Sequence, residues 1–358
     1  MTPVDLIPAA DAIPVHWGWF KVLLILTFTI HILLMNAMLG SGIIAFASRL
    51  TSDRTTRDLQ KDVSGKLTIL MAFTINFGVA PLLFLQALYG HFFYTSSQLM
   101  AVFWLSVIGV LIIGYYSAYL YKYRFDGMES GRNWFLGTAM VVLLFVAFIF
   151  VNNMTLMITP ISWPRYFDNP QGTLLNLTDP TLIPRYLHFI TASVAMGGLF
   201  IALVWEVRRR RGSVAEAPHH IRRGLNWFLY ATFFQLIFGF WFQMRLPREI
   251  MALFMGASPF HTGIFLLALG MMVLALISGV RGRVGLTTAA ALVLVFLMVI
   301  MRDLVRTAYL APYFTLDDLT VTGQYSSLIA FLIALTAGAA AVALAARWGL
   351  SATSAPNR

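Results

Sequence analysis

The sequence predicts an all-α integral membrane protein with nine transmembrane helices, and three observations carry that prediction. The 358 residues are 59% hydrophobic and 11% charged, with a mean hydropathy of +0.77, outside the range of soluble domains. Nine apolar stretches alternate with polar breaks, each near the ~20 residues that a helix needs to cross a bilayer core. Basic residues concentrate in alternate loops. Helices are expected rather than strands, because lipid cannot satisfy open backbone groups and nothing alternates with a period of two.

The first stretch, 20–46, is too long for a straight crossing, so Trp17, Trp19, Phe20 and Lys21 are expected to lie along the interface. Stretches at 67–89, 99–121 and 134–158 follow and complete a first four-helix bundle within 1–158. The linking segment "PISWPRYFDNPQGTLLNLTDP" is turn chemistry. Its NLT at 176–178 matches a glycosylation pattern that decides nothing alone. Stretches at 183–207, 225–242, 260–280 and 286–304 form a second bundle over 183–304, and 325–345 is a ninth helix. The sixth span is rich in aromatics (Phe228, Phe233, Phe234, Phe238, Phe240, Trp241), which suit either a subunit contact or lipid. The whole chain reads as one polytopic domain without a soluble part.

One set of loops holds Arg49, Arg54, Arg57, Lys61, Lys66, Lys122, Arg124, Arg132, Arg208 to Arg211, Arg222, Arg223, Arg281 and Arg283, with Arg347 and Arg358 in the tail. The opposite set holds only Lys21, Arg165, Arg185, Arg245, Arg248, Arg302 and Arg306. The positive-inside rule then places the N-terminus outside and the C-terminus in the cytoplasm, as an odd number of spans requires. The net charge of +10 is thus an orientation signal, and no nucleic-acid partner is expected. Asp5 and Asp11 precede any basic residue, so no cleaved leader is expected. The absence of cysteine excludes disulfides, thiolate-held clusters and covalent haem attachment. A cofactor would rest on His, Met or carboxylate.

Of seven histidines, His16 and His91 fall at the outer interface, and His219 and His220 in a basic loop. His31, His188 and His261 lie within or at the mouth of spans, where a polar ring costs energy unless something uses it. Ala192 and Ala195 follow His188 on one helix face, leaving room for either a flat ligand or a close helix contact. Gly40, Ser41 and Gly42 below His31 suit tight packing equally. His188 and His261 share a depth at which two imidazoles would clamp one haem iron, and chance proximity explains the same match. Asp303 between Arg302 and Arg306 reads either as a weak ligand flanked by anchors for haem propionates, or as a self-paired cluster.

At this point a family resemblance enters. "HILLMNAMLG" (31–40) resembles the first helix of cytochrome bd oxidase subunit I, whose His binds a high-spin haem. "GKLTILMAFTINFGVAPLLFLQALYG" (65–90) resembles its second helix, and "YLHFITASVAMGGLF" (186–200) its fifth, whose His ligates the low-spin haem b. The likeness covers most of the first 207 residues. It implies haem b at His31 and His188, two or more haems in all with haem d also fitting, in a bacterial inner membrane beside a second membrane subunit. The departures are specific. Residues 99–121 lack the family's proton-delivering acids, and only "QMRLPREIMALFMGASP" stands where the quinol-binding loop would be. His261 and Asp303 are the nearest matches to two missing ligands. Quinol is therefore disfavoured, and an external cytochrome or partner subunit is the expected electron donor, with dioxygen as the acceptor. A cofactor-free anchor subunit is the alternative reading. A transporter is the third, disfavoured because the spans lack acidic relays and paired broken helices.

Overall fold

The computed structural model describes residues 3–50, 54–128, 131–212 and 215–354. Ten α-helices occur in order: α1 (Trp17–Ala47), α2 (Arg54–Leu99), α3 (Ala101–Tyr123), α4 (Arg132–Ile158), α5 (Leu182–Arg211), α6 (Ala217–Met244), α7 (Arg248–Ala252), α8 (Pro259–Val280), α9 (Val284–Leu310) and α10 (Tyr325–Ser354). All but the five-residue α7 are long and apolar enough to cross a membrane, which gives nine such helices among the described residues. The face where α1 begins is called here the N-terminal face, and the one where α1, α3, α5 and α8 end the basic face.

The ends of two helices differ from expectation. α1 is unbroken from Trp17, so Trp17, Trp19, Phe20 and Lys21 belong to the same helix as the residues that follow. No proline interrupts it, His16 Nδ1 caps it by accepting the Gly18 N–H at 3.1 Å, and Asp303 holds the Lys21 ammonium at 3.2 Å. Lys21 therefore has no need to bend the chain toward water. The second helix extends well past 67–89 in both directions. Before residue 67, Leu59 and Val63 continue the buried face; after it, a kink at Tyr89 (φ −135°, ψ 29°) re-aims the chain and packs His91, Phe92 and Phe93 inward.

Helices pair as α1 with α2, α3 with α4, α5 with α6, and α8 with α9, and α1 crosses α5. Gly40 and Gly197 make that crossing: a Cβ on either would overlap backbone of the opposite helix. Small residues let backbones meet where lipid gives no hydrophobic drive to associate. One apolar cluster fills the basic half, around Met38, Leu67, Leu136, Leu199 and Leu225. A second, around Phe92, Trp163 and Phe314, fills the N-terminal half.

α10 stands apart, with none of its most apolar stretch buried. It is tied at its start by a bridge between Ile13 and Val321 and by the Gln324 N–H donating to the Pro14 carbonyl at 2.7 Å. In α6, Phe228 is buried while Phe233, Phe234 and Phe240 are exposed. Asn176 of the glycosylation pattern is buried, and its amide donates to Thr159 at 3.1 Å.

Candidate functional site

Between the two apolar clusters lies a cavity of about 670 Å³, within the range that takes cofactors, about 300–1,000 Å³. Its wall runs along α9 from Ala291 to Val305, a span of roughly 21 Å at the helical rise. His31 and His188 both line it, as do Ala192 and Ala195.

The two histidines are held by the same device. His31 Nδ1 lies 3.0 Å from the Thr74 carbonyl on α2, and His188 Nδ1 lies 3.0 Å from the Gln235 carbonyl on α6. A carbonyl only accepts, so Nδ1 carries the proton and Nε2 of the neutral ring keeps its lone pair. Neither Nε2 has a hydrogen-bond partner among the described residues. Each acceptor is followed four residues later by a glycine, Gly78 or Gly239, on which the ring rests. A helix carbonyl already serves the N–H four residues on. With no side chain at that residue, the carbonyl stays open to a second donor. A Cβ at Gly78 would come within 2.9 Å of the His31 ring, and one at Gly239 within 3.0 Å of the His188 ring.

The repetition goes further and is visible in the sequence once the structure points to it. "HILLMNAMLG" and "HFITASVAMG" align without a gap, from His31 to Gly40 and from His188 to Gly197. The fifth position after each histidine, Asn36 or Ser193, meets its counterpart: the Ser193 hydroxyl donates to Asn36 Oδ1 at 2.8 Å. The glycines that end each copy form the α1–α5 crossing. Asn36 is thus a seam residue that also lines the cavity.

The surroundings of the two rings differ. The α3 and α4 side of the cavity presents aliphatic side chains such as Val107, Leu111, Leu143 and Val146, together with Phe150 and Met154. The α8 and α9 side adds the thioethers of Met272 and Met298, and Gln235 Nε2 reaches Met298 Sδ at 3.9 Å. One turn before His188 stands Arg185; the corresponding residue before His31 is Phe28. Arg302 from α9 covers the Phe28 ring at 4.3 Å. Arg185 and Arg302 both line the cavity, and neither has an ion-pair partner among the described residues. The Nε and Nη2 atoms of Arg185 are buried without any hydrogen bond. An unpaired guanidinium away from water costs several kcal/mol. Arg185 instead covers the Phe242 ring at 4.9 Å, as Arg302 covers Phe28.

The remaining sequence candidates are not brought to this wall. His261 bonds Ser258 at 2.8 Å at the start of α8 and sits edge-on to Phe254, away from the cavity wall that His188 lines. Asp303 is buried, with one oxygen 3.2 Å from Lys21 and the other 3.4 Å from Arg306, which is the self-paired arrangement extended by a lysine. Arg306 also covers the Tyr89 ring at 5.1 Å. Of the loop histidines, His220 is fully buried and stacked on Trp205 at 4.0 Å. The residues that sequence reasoning passed over are Gly78 and Gly239, Thr74 and Gln235, Met272 and Met298. The repeated decapeptide was the available signal for the first pair of helices. Among the described residues no three His, Asp or Glu side chains converge. No protein-family model matches the chain, and no curated protein matches it.

Proposed function

We propose that this chain is a haem-b-bearing membrane oxidoreductase subunit of cytochrome bd type. It passes electrons from a donor at the N-terminal face, through a low-spin site at His188, to a high-spin site at His31 where dioxygen is reduced. The basic face is cytoplasmic in this reading, the membrane is the bacterial inner membrane, and a second membrane subunit accompanies the chain.

One observation carries it: two histidines on separate helices each donate Nδ1–H to a backbone carbonyl and leave Nε2 free beside a common apolar cavity. That tautomer is the one ligating histidines adopt when a neighbour fixes the other nitrogen. Each stands alone, which suits a porphyrin iron that brings four nitrogens of its own and suits a bare metal ion poorly. Haem bound here would supply one-electron transfer and, at an open iron position, dioxygen binding. The chain's part is to hold and tune. Gly78 and Gly239 set the ring planes, and Arg185 and Arg302 offer charge to propionates. Met272 and Met298 supply thioethers on the α8 and α9 side of the cavity, and Met154 supplies one on the α4 side.

The test is a reduced-minus-oxidised optical spectrum of the purified chain, repeated with carbon monoxide. A low-spin b-type band together with a carbon-monoxide-sensitive component is expected. A low-spin signal alone would remove the His31 assignment. No haem at all would end this reading and leave an anchor subunit.

A further inference from the structure

Dioxygen reduced to two waters takes up four electrons and four protons, and α3 carries none of the acids that would deliver them. On the N-terminal side the four cations Lys21, Arg185, Arg302 and Arg306 outnumber the neighbouring carboxylates, Asp303 and Asp179, a field that repels hydronium. A different feature leads to the His31 side of the cavity from the basic face. Gln60, Ser64 and Thr68 follow one another at four-residue intervals on one face of α2, each no more than 3% exposed. Three residues past Thr68 is Met71, which lines the cavity; on α1, buried Ser41 lies three residues from Met38, another wall residue. The stripe covers roughly 12 Å and stops one helical turn, about 5 Å, below the wall.

Hydroxyls buried at a helix interface commonly serve as cross-helix glue, each bonding to the neighbouring helix. These do not. The Ser64 hydroxyl donates to the Lys61 carbonyl of its own helix at 2.7 Å, and Ser41 donates to the Met38 carbonyl at 3.3 Å. Among the described residues no hydrogen bond from Ser41, Ser64 or Thr68 reaches another helix. Their oxygens keep acceptor capacity that no described residue uses and that a water would fit. At the mouth, Gln60 donates to the Ala45 carbonyl at 3.1 Å, and Asp62 and Asp126 stand nearby on the basic face, on Lys66 and Arg208 and on Lys61 respectively.

We infer that the Gln60–Ser64–Thr68 stripe with Ser41 is the proton inlet of the His31 site, a water-bearing path from the cytoplasm to the cavity. This rests on reading His31 as the dioxygen-reducing site and the basic face as cytoplasmic. The four electrons come from the external one-electron donor, the four protons through the stripe, and the products are two waters.

The test exploits the lack of native cysteine. Ser64→Cys and Thr68→Cys in the full chain are exposed to a small water-borne methanethiosulfonate in inside-out membrane vesicles. Labelling roughly tenfold faster than at Ala139→Cys, an equally buried apolar position, is expected, since a thiol in dry surroundings stays un-ionised and inert. Labelling as slow as at Ala139→Cys overturns the inlet, whatever the haem content. A second arm reads dioxygen consumption and alkalinisation of a trapped pH dye in oriented proteoliposomes. Thr68→Val is expected to slow both by roughly tenfold or more with unchanged haem spectra, and Thr68→Ser to restore them. Full turnover in Thr68→Val overturns the proposal. If Thr68→Val does not assemble, Ser64→Ala takes its place under the same criterion. Rapid labelling in a chain that holds no haem would sink the oxidase reading and, with it, the role given to the stripe.

Discussion

The two halves of the membrane domain, α1 to α4 and α5 to α9, use one device and give it different company. In each, a histidine donates to a carbonyl on the next helix, rests on a glycine and is followed nine residues later by a glycine at the α1–α5 crossing. Around His31 the α3 and α4 wall is largely aliphatic, with Phe150 and the single thioether of Met154, and a guanidinium is borrowed from α9 across Phe28. Around His188 there are thioethers and an arginine on the same helix. Helix packing thus repeats while the chemistry it frames does not. A duplicated scaffold can hold two sites of unequal character because the ring-holding contacts are backbone contacts, independent of what the opposite wall offers.

The comparison breaks most sharply at the seam. A methyl group at Gly40 would overlap the Ser193 carbonyl, and one at Gly197 the Gly40 backbone, so neither neighbour can yield by turning a side chain. Gly40→Ala and Gly197→Ala should each cost ~3 kcal/mol or more and abolish assembly, read as membrane yield and detergent-resistant melting. If one is tolerated, the crossing is not symmetric. Next come the two proposed ligands. His188→Ala is expected to remove the low-spin band and leave the carbon-monoxide-binding component, and His31→Ala the reverse. Loss of both signals in both variants would mean a single shared cofactor.

Smaller effects sharpen the device. Gly78→Ala pushes on the His31 ring alone and Gly239→Ala on the His188 ring alone. Each should weaken retention of one haem class by about tenfold, measured as haem per chain after dilution, since the partners that orient a ligand matter at that scale. Equal losses at both sites in either variant would show that the two rings are not held independently. The smallest expected effect lies outside the membrane. Lys61's hydrogen bond holds the Asp126 carboxyl below its usual range, so the pair favours the folded chain above the ordinary carboxylate pKa of about 3.9. That contribution is lost as pH falls through the lowered value, and Asp126→Asn should flatten the acid limb of the melting profile slightly. It should leave both haem signals unmoved.

How much of this was legible beforehand differs between fold and site. Nine apolar stretches gave the helix count, because the length of a crossing is set by the bilayer rather than by neighbours. The limits of α1 and α2 were not readable, since Lys21 is neutralised by Asp303, which lies 282 positions away, and Leu59 and Val63 bury against other helices. His31 and His188 stood out as polar rings in apolar runs. The parts that make them candidate ligands, the Thr74 and Gln235 carbonyls, are backbone groups with no signature in residue type. His261 looked equivalent by depth alone, and depth along a helix says nothing about which way a side chain turns.

By itself the sequence determined that the chain is almost all helical, has nine stretches long and apolar enough to cross a membrane, has no thiol chemistry and carries histidines within apolar runs. Each of these follows from local composition and length. Only the tertiary structure decided which polar groups meet. Asp303 goes to Lys21 and Arg306, Asn36 to Ser193, and Arg185 and Arg302 go to the cavity wall with no salt bridge among the described residues. Those partnerships depend on how helices cross, and the crossings are set by glycines whose only contribution is the absence of a side chain.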